Sequence, residues 1–336
     1  MSNTKMINSK YNDVLTKLEK LPDCNNDEIY RMADYIELKT ITNIDKCYSK
    51  SDYIKDLKRE VPTGGGDYDE YKAESKKLTK SEVSDKWERI ADDVFREIEI
   101  RTKLFKTYYP FKITDNNGVL EFDGAKTIKK QYYLFLLLCA NLSYTAKYKK
   151  ELTSSFELIG KYVLKNLFPR NVDIKIFGSS NTEGEIKEWQ SEKLWHKLQW
   201  LSKFLNLDLS IKELDINKYD KGDRGLDIVG RIKLKDKMSH MPVIFAQCAC
   251  SPDQWVNKQS STHHEKWDKL LSFDVYPIRF IIIPQSYRSS NGDWHDKFKI
   301  EKNVIIDRLR ILKHFQSETK FKSFSSYKII TDFLVN

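Results

Sequence analysis

Lys221-Gly222-Asp223-Arg224-Gly225-Leu226-Asp227-Ile228-Val229-Gly230 passes from a glycine-punctuated turn into an apolar run, and Val243-Ile244-Phe245-Ala246-Gln247-Cys248-Ala249-Cys250 follows as a second. Apolar runs bounded by turn residues read as strands, here Leu226 to Leu234 and Pro242 to Cys250. The polar segment Lys235 to Met241 joins them. Antiparallel pairing about a centre near residue 238 sets Asp227 opposite a position close to Ala249. Side chains two residues apart share a face, so Asp227 and Gln247 are expected side by side near the open end of this hairpin. Polar groups in such apolar surroundings must find partners, or each costs about 1–3 kcal/mol. The glycines around Asp227 leave room for a backbone or a phosphate to approach.

Outward from this hairpin the chain alternates helices and strands, which indicates an α/β domain. Before it come a helix over Thr153 to Leu167, with Phe156, Ile159, Val163 and Leu167 on one stripe, and an alternating strand at Val172 to Phe177. A helix from Glu185 to Leu205 and a strand over Leu209 to Leu214 follow. Beyond the hairpin the pattern predicts a helix from Trp255 to Phe273, a strand from Ile278 to Ile283 apolar enough to be central, and a last helix from Ile300 to Phe315. The first part of the chain reads as mainly helical, with amphipathic segments at Tyr11 to Leu21, Ile29 to Leu38 and Ser81 to Phe105. A short strand is expected at Val119 to Phe122. The helix from Thr127 to Asn141 is apolar nearly all round and belongs in a core or an interface. Val61-Pro62-Thr63-Gly64-Gly65-Gly66-Asp67 reads as a loop, since no Gly-Lys-Ser/Thr follows to make it a phosphate cradle. The expected division is a helical region over residues 1–145 and an α/β domain over 146–336.

The chain has 336 residues, enough for about two domains. At 40% hydrophobic residues and 12% aromatic it can bury a core, which excludes a disordered chain. Only 12 glycines and 8 prolines exclude collagen-like and low-complexity architectures. The longest apolar run, Tyr132 to Ala140, is about half the roughly 20 residues that a membrane span needs. The polar N-terminus lacks the apolar stretch of a signal peptide, and five cysteines without framework spacing read as reduced thiols, so a cytoplasmic protein is expected. The formal charge of +9 permits a polyanionic partner without demanding one, because 49 acidic residues offset 58 basic ones.

With the hairpin and its flanking helices placed, the sequence resembles the PD-(D/E)XK nuclease superfamily, the restriction-endonuclease-like fold, and in particular its Mrr-like branch. That family carries an acid on the first core helix, an aspartate at the start of the second strand, and a Glu-or-Gln, any residue, Lys triplet on the third. Asp227 matches the aspartate, Gln247 the acid-or-Gln position, and Glu157 in Ser154-Ser155-Phe156-Glu157-Leu158-Ile159-Gly160 the helix acid. The segment running on to Trp255 and Lys258 also looks like proteins of bacterial antiphage-defence neighbourhoods. The resemblance covers roughly residues 150–315. It implies a mixed β-sheet core flanked by helices, with Glu157, Asp227 and Gln247 holding Mg²⁺ (Mn²⁺ as a substitute) to hydrolyse DNA. It also implies that the N-terminal region regulates, dimerises or docks a partner subunit. The triplet here is Gln247-Cys248-Ala249, so the family lysine is missing from its strand, and Lys258 is the nearest candidate replacement. A nuclease fold that has lost cleavage and serves as a DNA-binding or assembly subunit is the alternative, and a partner-binding scaffold without a nucleic-acid role is a third reading.

Each residue has a plainer role beside the functional one. Asp227 can start a strand, Gln247 can bond core backbone, and Glu157 and Lys258 can be solvated helix residues. Asp223 can simply shape its turn. Cys248 and Cys250 with His263 and His264 raise zinc, but structural sites usually show Cys-x₂₋₄-Cys pairs, and buried cysteines are the expected reading. Lys126, Lys129 and Lys130, then Lys147, Lys149 and Lys150, and finally Arg308 and Arg310, are basic clusters available for phosphate contacts or simply for solvent.

Overall fold

The computed structural model describes residues 14–25, 27–60, 80–114, 118–168, 170–178, 193–217, 219–220, 222–236, 238–289 and 291–334. The protein is mixed α/β, with 49% helix and 16% strand. The order is α1 (Ile29–Thr42), β1 (Cys47–Ser49), α2 (Lys50–Glu60), α3 (Lys80–Phe105), β2 (Phe111–Thr114), β3 (Val119–Phe122), α4 (Ile128–Ala140), α5 (Lys149–Leu167) and β4 (Val172–Ile176). It continues with α6 (Leu194–Leu205), β5 (Asp208–Leu209), β6 (Ile228–Ile232), β7 (Val243–Cys248), α7 (Trp255–Lys258), α8 (His264–Trp267), β8 (Leu271–Ser272), β9 (Ile278–Ile282) and β10 (Val304–Ile306). The short helices α9 (Arg308–His314), α10 (Glu318–Lys322) and α11 (Ser325–Leu334) end it.

The main sheet has the order β10-β9-β7-β6-β4. Strands β4, β6 and β7 form an antiparallel meander, and β9 and β10 add parallel to β7. Every residue of β7 is buried, which is why it carries no polar alternation apart from Gln247. Its two faces serve different cores. Ile244, Ala246 and Cys248 join Ile228 and Ile282 under α5, whereas Val243 and Phe245 join Val229, Leu198, Leu201 and Trp267 on the α6 side. Helix α5 comes so close that a Cβ on Gly160 would lie 2.9 Å from Cys248 Sγ and 3.0 Å from Ile228 Cδ1. A helix and a sheet approach at that distance only where the helix has no side chain, and this contact fixes the height of α5 over the sheet.

The first core is shared. It runs from Leu15 and Leu18 through α1, α3 and α4 to α5, then on to Phe321 and Ile330. The N-terminal region also holds a three-stranded sheet, β1-β3-β2, of which the sequence pattern indicated only β3.

A buried ion cluster ties these parts together. Arg101 on α3 donates to Asp34 at 2.7 Å, to Glu37 at 2.8 Å and to Glu97 at 3.1 Å. Arg308 at the start of α9 grips both Asp34 oxygens at 2.7 and 2.9 Å. Tyr109 and Tyr133 donate their hydroxyls to Glu37, each at 2.9 Å. Burial alone would raise the Asp34 carboxyl, but Arg308 and Arg101 together hold it below its ordinary value. For Glu37 burial prevails and its carboxyl is pushed up. Arg308, expected on a surface helix, is thus an internal counter-ion with no exposed area.

Several expected elements differ. Residues 14–20 form turns rather than a helix; Leu15 and Leu18 still enter the core. Of the strand expected over Leu209 to Leu214 only its first residue pairs, in Asp208–Leu209 against β8; Leu214 stands 94% exposed, because alternation without a neighbouring strand makes no ladder. The helix expected over Trp255 to Phe273 is broken into α7, a 3₁₀ turn at Gln259–Thr262, and α8. The hydroxyls of Ser260 and Thr262 bond back to Asn257 and Gln259 carbonyls there, the local competition that disfavours a continued helix. The helix expected over Ile300 to Phe315 starts only at Arg308, where Asp307 accepts from the Arg310 N–H at 3.1 Å, and the preceding residues pair as β10. The loop at 61–67 and the first part of the helix expected from Glu185 lie outside the described residues.

Replacing Arg308 by alanine leaves the Asp34 carboxylate buried with one guanidinium instead of two. Chemical denaturation should show a loss of about 3–5 kcal/mol, the range for a broken buried pair. An exposed control such as Lys313→Ala should shift stability by no more than about 0.5 kcal/mol.

Candidate active site

The register of β6 against β7 builds the site. Ile228 pairs with Ala246 and Arg231 with Val243, which sets Asp227 directly opposite Gln247, two residues from the expected register and on the same face. Gln247 Nε2 donates to Asp227 Oδ2 at 2.5 Å, and the Cys248 backbone N–H donates to the same oxygen at 2.7 Å. The Asp227 backbone is held as firmly: its carbonyl accepts from the N–H groups of Phe177 and Gly178 at 2.7 and 3.0 Å. One oxygen of the carboxylate is therefore fixed, and the other, Oδ1, faces the end of the sheet.

Glu157 reaches the same place from α5, one turn before the Gly160 contact. Glu157 Oε2 and Asp227 Oδ1 lie 3.1 and 3.3 Å from the point that a Gly178 Cβ would occupy. A side chain at residue 178 would fill the space into which the two carboxylates converge. Both acids are buried, each 8% exposed. Burial first, and the neighbouring Glu157 charge second, push the Asp227 carboxyl well above its ordinary value, against the opposing pull of the Cys248 N–H and of Lys258. Gln247 Oε1 is buried and accepts no hydrogen bond.

Glu157, Asp227, Gln247 and Lys258 line one cavity of about 670 Å³. Lys258 stands half-buried at the end of α7, its charge close enough to act on Asp227 and on Cys248. The structure thus brings all four sequence-predicted site residues together. Asp223 accepts from the Gly225 N–H at 2.8 Å, so it shapes the turn while adding negative charge behind Asp227.

One residue of the site escaped the sequence reading. Lys197 on α6 is 3% exposed and donates to the Phe177 carbonyl at 3.2 Å, beside the backbone that holds Asp227. Burial lowers its ammonium pKa, while Asp223 and Glu157 pull the other way. Its spacing, one position before Leu198 and four before Leu201, places it at the edge of an apolar stripe, a signal any snorkelling lysine also gives.

Cys248 and Cys250 also line the cavity, while His263 and His264 engage other partners. Cys248 and Cys250 are buried, and burial first, then the Asp227 and Glu157 charges, hold Cys248 as a neutral thiol. His263 meets Glu301 at 2.5 Å and His264 packs on Tyr276 at 4.0 Å. Among the described residues no three or more His, Cys, Asp or Glu side chains converge as metal ligands. Of the lysine clusters, Lys130 pairs with Asp123 and Lys129 lies over Tyr108, while Lys149 lines the cavity. Arg310 stacks on Trp294. Among the described residues no helix is long and apolar enough to cross a membrane. No protein-family model matches the chain, and no curated protein and no solved structure matches it.

The raised Asp227 pKa has a sign. A carboxyl whose folded pKa exceeds its unfolded one stabilises the fold at low pH and loses that contribution as pH rises through the folded value. Ionised Asp227 is therefore a cost at neutral pH. Asp227→Asn keeps an acceptor for Gln247 and Cys248 and turns an N–H toward Glu157, so its melting temperature should exceed that of the parent protein at pH 7 in a metal-free buffer. The two should converge as pH falls below 4. Equal melting temperatures at pH 7 would show that the site carries no buried repulsion.

Proposed function

We propose that the protein is a divalent-metal-dependent endonuclease that hydrolyses phosphodiester bonds of DNA, built on a restriction-endonuclease-like core. The observation that carries this reading is the convergence of Glu157 Oε2 and Asp227 Oδ1 beside Gly178, at the end of the central strands. A mixed sheet flanked by helices, with Glu157 on the helix before β4, Asp227 just before β6 and Gln247 on β7, supports the reading.

The donors suit a hard cation. Two carboxylate oxygens and the unpartnered Gln247 Oε1 are all oxygen ligands, the preference of Mg²⁺ and Mn²⁺. Asp227 and Glu157 would hold the ion, with Gln247 available to join them once its amide turns. Bound there, such an ion supplies an activated water and a polarised phosphate. The protein's own groups do the rest. Gln247 and the Cys248 N–H keep the Asp227 carboxylate oriented, and Gly178 keeps the space in front of it open. Among the described residues, Lys258 acts through its charge on Asp227 and Lys197 lies close enough to feel Glu157, and both can offset charge that gathers on a scissile phosphate. They stand where the strand itself offers only Ala249, which is fully buried.

A role as an effector of a bacterial antiphage or restriction system in the cytoplasm, working as a homo-oligomer or with a partner subunit, fits this reading. The loss of cleavage, leaving a DNA-binding or assembly subunit, is favoured by one observation, the alanine at the lysine position.

Incubation of the protein with single-stranded circular DNA and with plasmid, each with Mg²⁺ or Mn²⁺, tests the reading. Cutting is expected with metal, abolished by EDTA and by Asp227→Ala, and lowered roughly 10²–10⁴-fold by Lys197→Met or Lys258→Met, the range for loss of one group acting at the reacting centre. DNA retained but never cut would establish the binding module instead.

A further inference from the structure

One part of the cavity's wall is made by residues 17–23. Lys17, Lys20, Leu21 and Pro22 line the cavity together with Glu157, Asp227 and Lys258, and Lys149 and Leu142 line it too. This wall is fixed. Val14, Leu15 and Leu18 are buried in the main core. The Thr16 N–H donates to the Tyr144 carbonyl at 2.8 Å, the Tyr144 hydroxyl to the Lys20 carbonyl at 3.0 Å, and Arg59 to the Glu19 carbonyl at 2.6 Å. Arg31 adds a clamp, donating to the Asp23 carbonyl at 2.7 Å and to Asp253, beyond β7, at 2.6 Å.

The volume then limits what reaches the acids. Cavities of roughly 300–1,000 Å³ hold drug-sized molecules, the class of one or two nucleotides, and this one, at about 670 Å³, is of that size. The lining has the two features that a single strand uses. Lys17, Lys20, Lys149 and Lys258 supply positive charge for a backbone. Leu21, Pro22 and Leu142 supply an apolar side for bases. Of the other acids in the lining, Asp253 is paired with Arg31 and Asp34 with Arg308 and Arg101, leaving Asp23 and the two site acids against four lysines.

We infer that the cavity admits a single polynucleotide strand and excludes a continuous duplex, so that the substrate is single-stranded nucleic acid or the unpaired part of a larger one. This rests on the nuclease reading for its chemistry, while the binding preference follows from the walls alone. The preference is read on Asp227→Ala protein by fluorescence anisotropy, with labelled oligothymidylate, the matching oligouridylate and a blunt hairpin duplex as probes. The single strands are expected to bind at least about tenfold tighter than the hairpin, with an affinity falling steeply with salt. The DNA and RNA arms tell which backbone is preferred. The charge reversal Lys20→Glu with Lys149→Glu, both exposed, should lower that affinity about tenfold or more, with the melting temperature unchanged. A hairpin bound as tightly as the single strands, or charge reversal without effect, overturns the inference. Cleavage by the unaltered protein separates the two claims. Duplex cut as fast as single strand overturns the inference and leaves the nuclease standing. Selective single-strand binding with no cutting in Mg²⁺ or Mn²⁺ supports the inference and ends the nuclease reading.

Discussion

A single carboxylate oxygen organises the centre of this protein. Asp227 Oδ2 accepts both the Gln247 side-chain N–H and the Cys248 backbone N–H, so the acid is bound to the neighbouring strand by groups that exist only if β6 and β7 pair in one register. A slip of one residue would turn Asp227 to the other face and put Ile228 at the sheet's end. The site and the sheet are thus one structural problem. What keeps the register also keeps the acid aimed, and the other oxygen is left to face Glu157.

The charges around that oxygen are arranged from both faces of the sheet. Glu157 comes from α5 on one side and Lys197 from α6 on the other, while Lys258 sits on the short helix just beyond β7. Two buried acids without an adjacent cation would hold a shared proton at neutral pH rather than two negative charges. Among the described residues, Lys258 acts on Asp227 and Lys197 on Glu157 through charge, which moderates that repulsion.

The hairpin was legible because its signals were local: two apolar runs, a polar connection between them, and two polar residues of matching parity. Glu157 was legible as a helix position, although its approach to Asp227 depends on Gly160, whose closeness to Cys248 no periodicity reveals. Lys197 was hidden since nothing in its neighbourhood separates a lysine drawn inward from one that snorkels outward. The long helices expected at Trp255 and Ile300 failed for a different reason. Apolar residues there do recur at helical intervals, but hydroxyl side chains and the Asp307 cap set the boundaries, and strand partners far away in sequence claimed Val304–Ile306. Arg308 was misread because its counter-ion is 274 residues distant.

That last distance bears on how the molecule comes into being. Helix α1 carries Asp34 into a dry interior where one of its two guanidinium partners arrives only with α9, 274 residues later. Until then the carboxylate must stay hydrated or accept a proton, and the helix carrying it gains little from settling against its neighbours. The same helix, through Arg31, braces the wall that narrows the cleft. Chains truncated before α9 would therefore lack the finished cleft, so that assembly of the two carboxylates into a confined site waits on that helix.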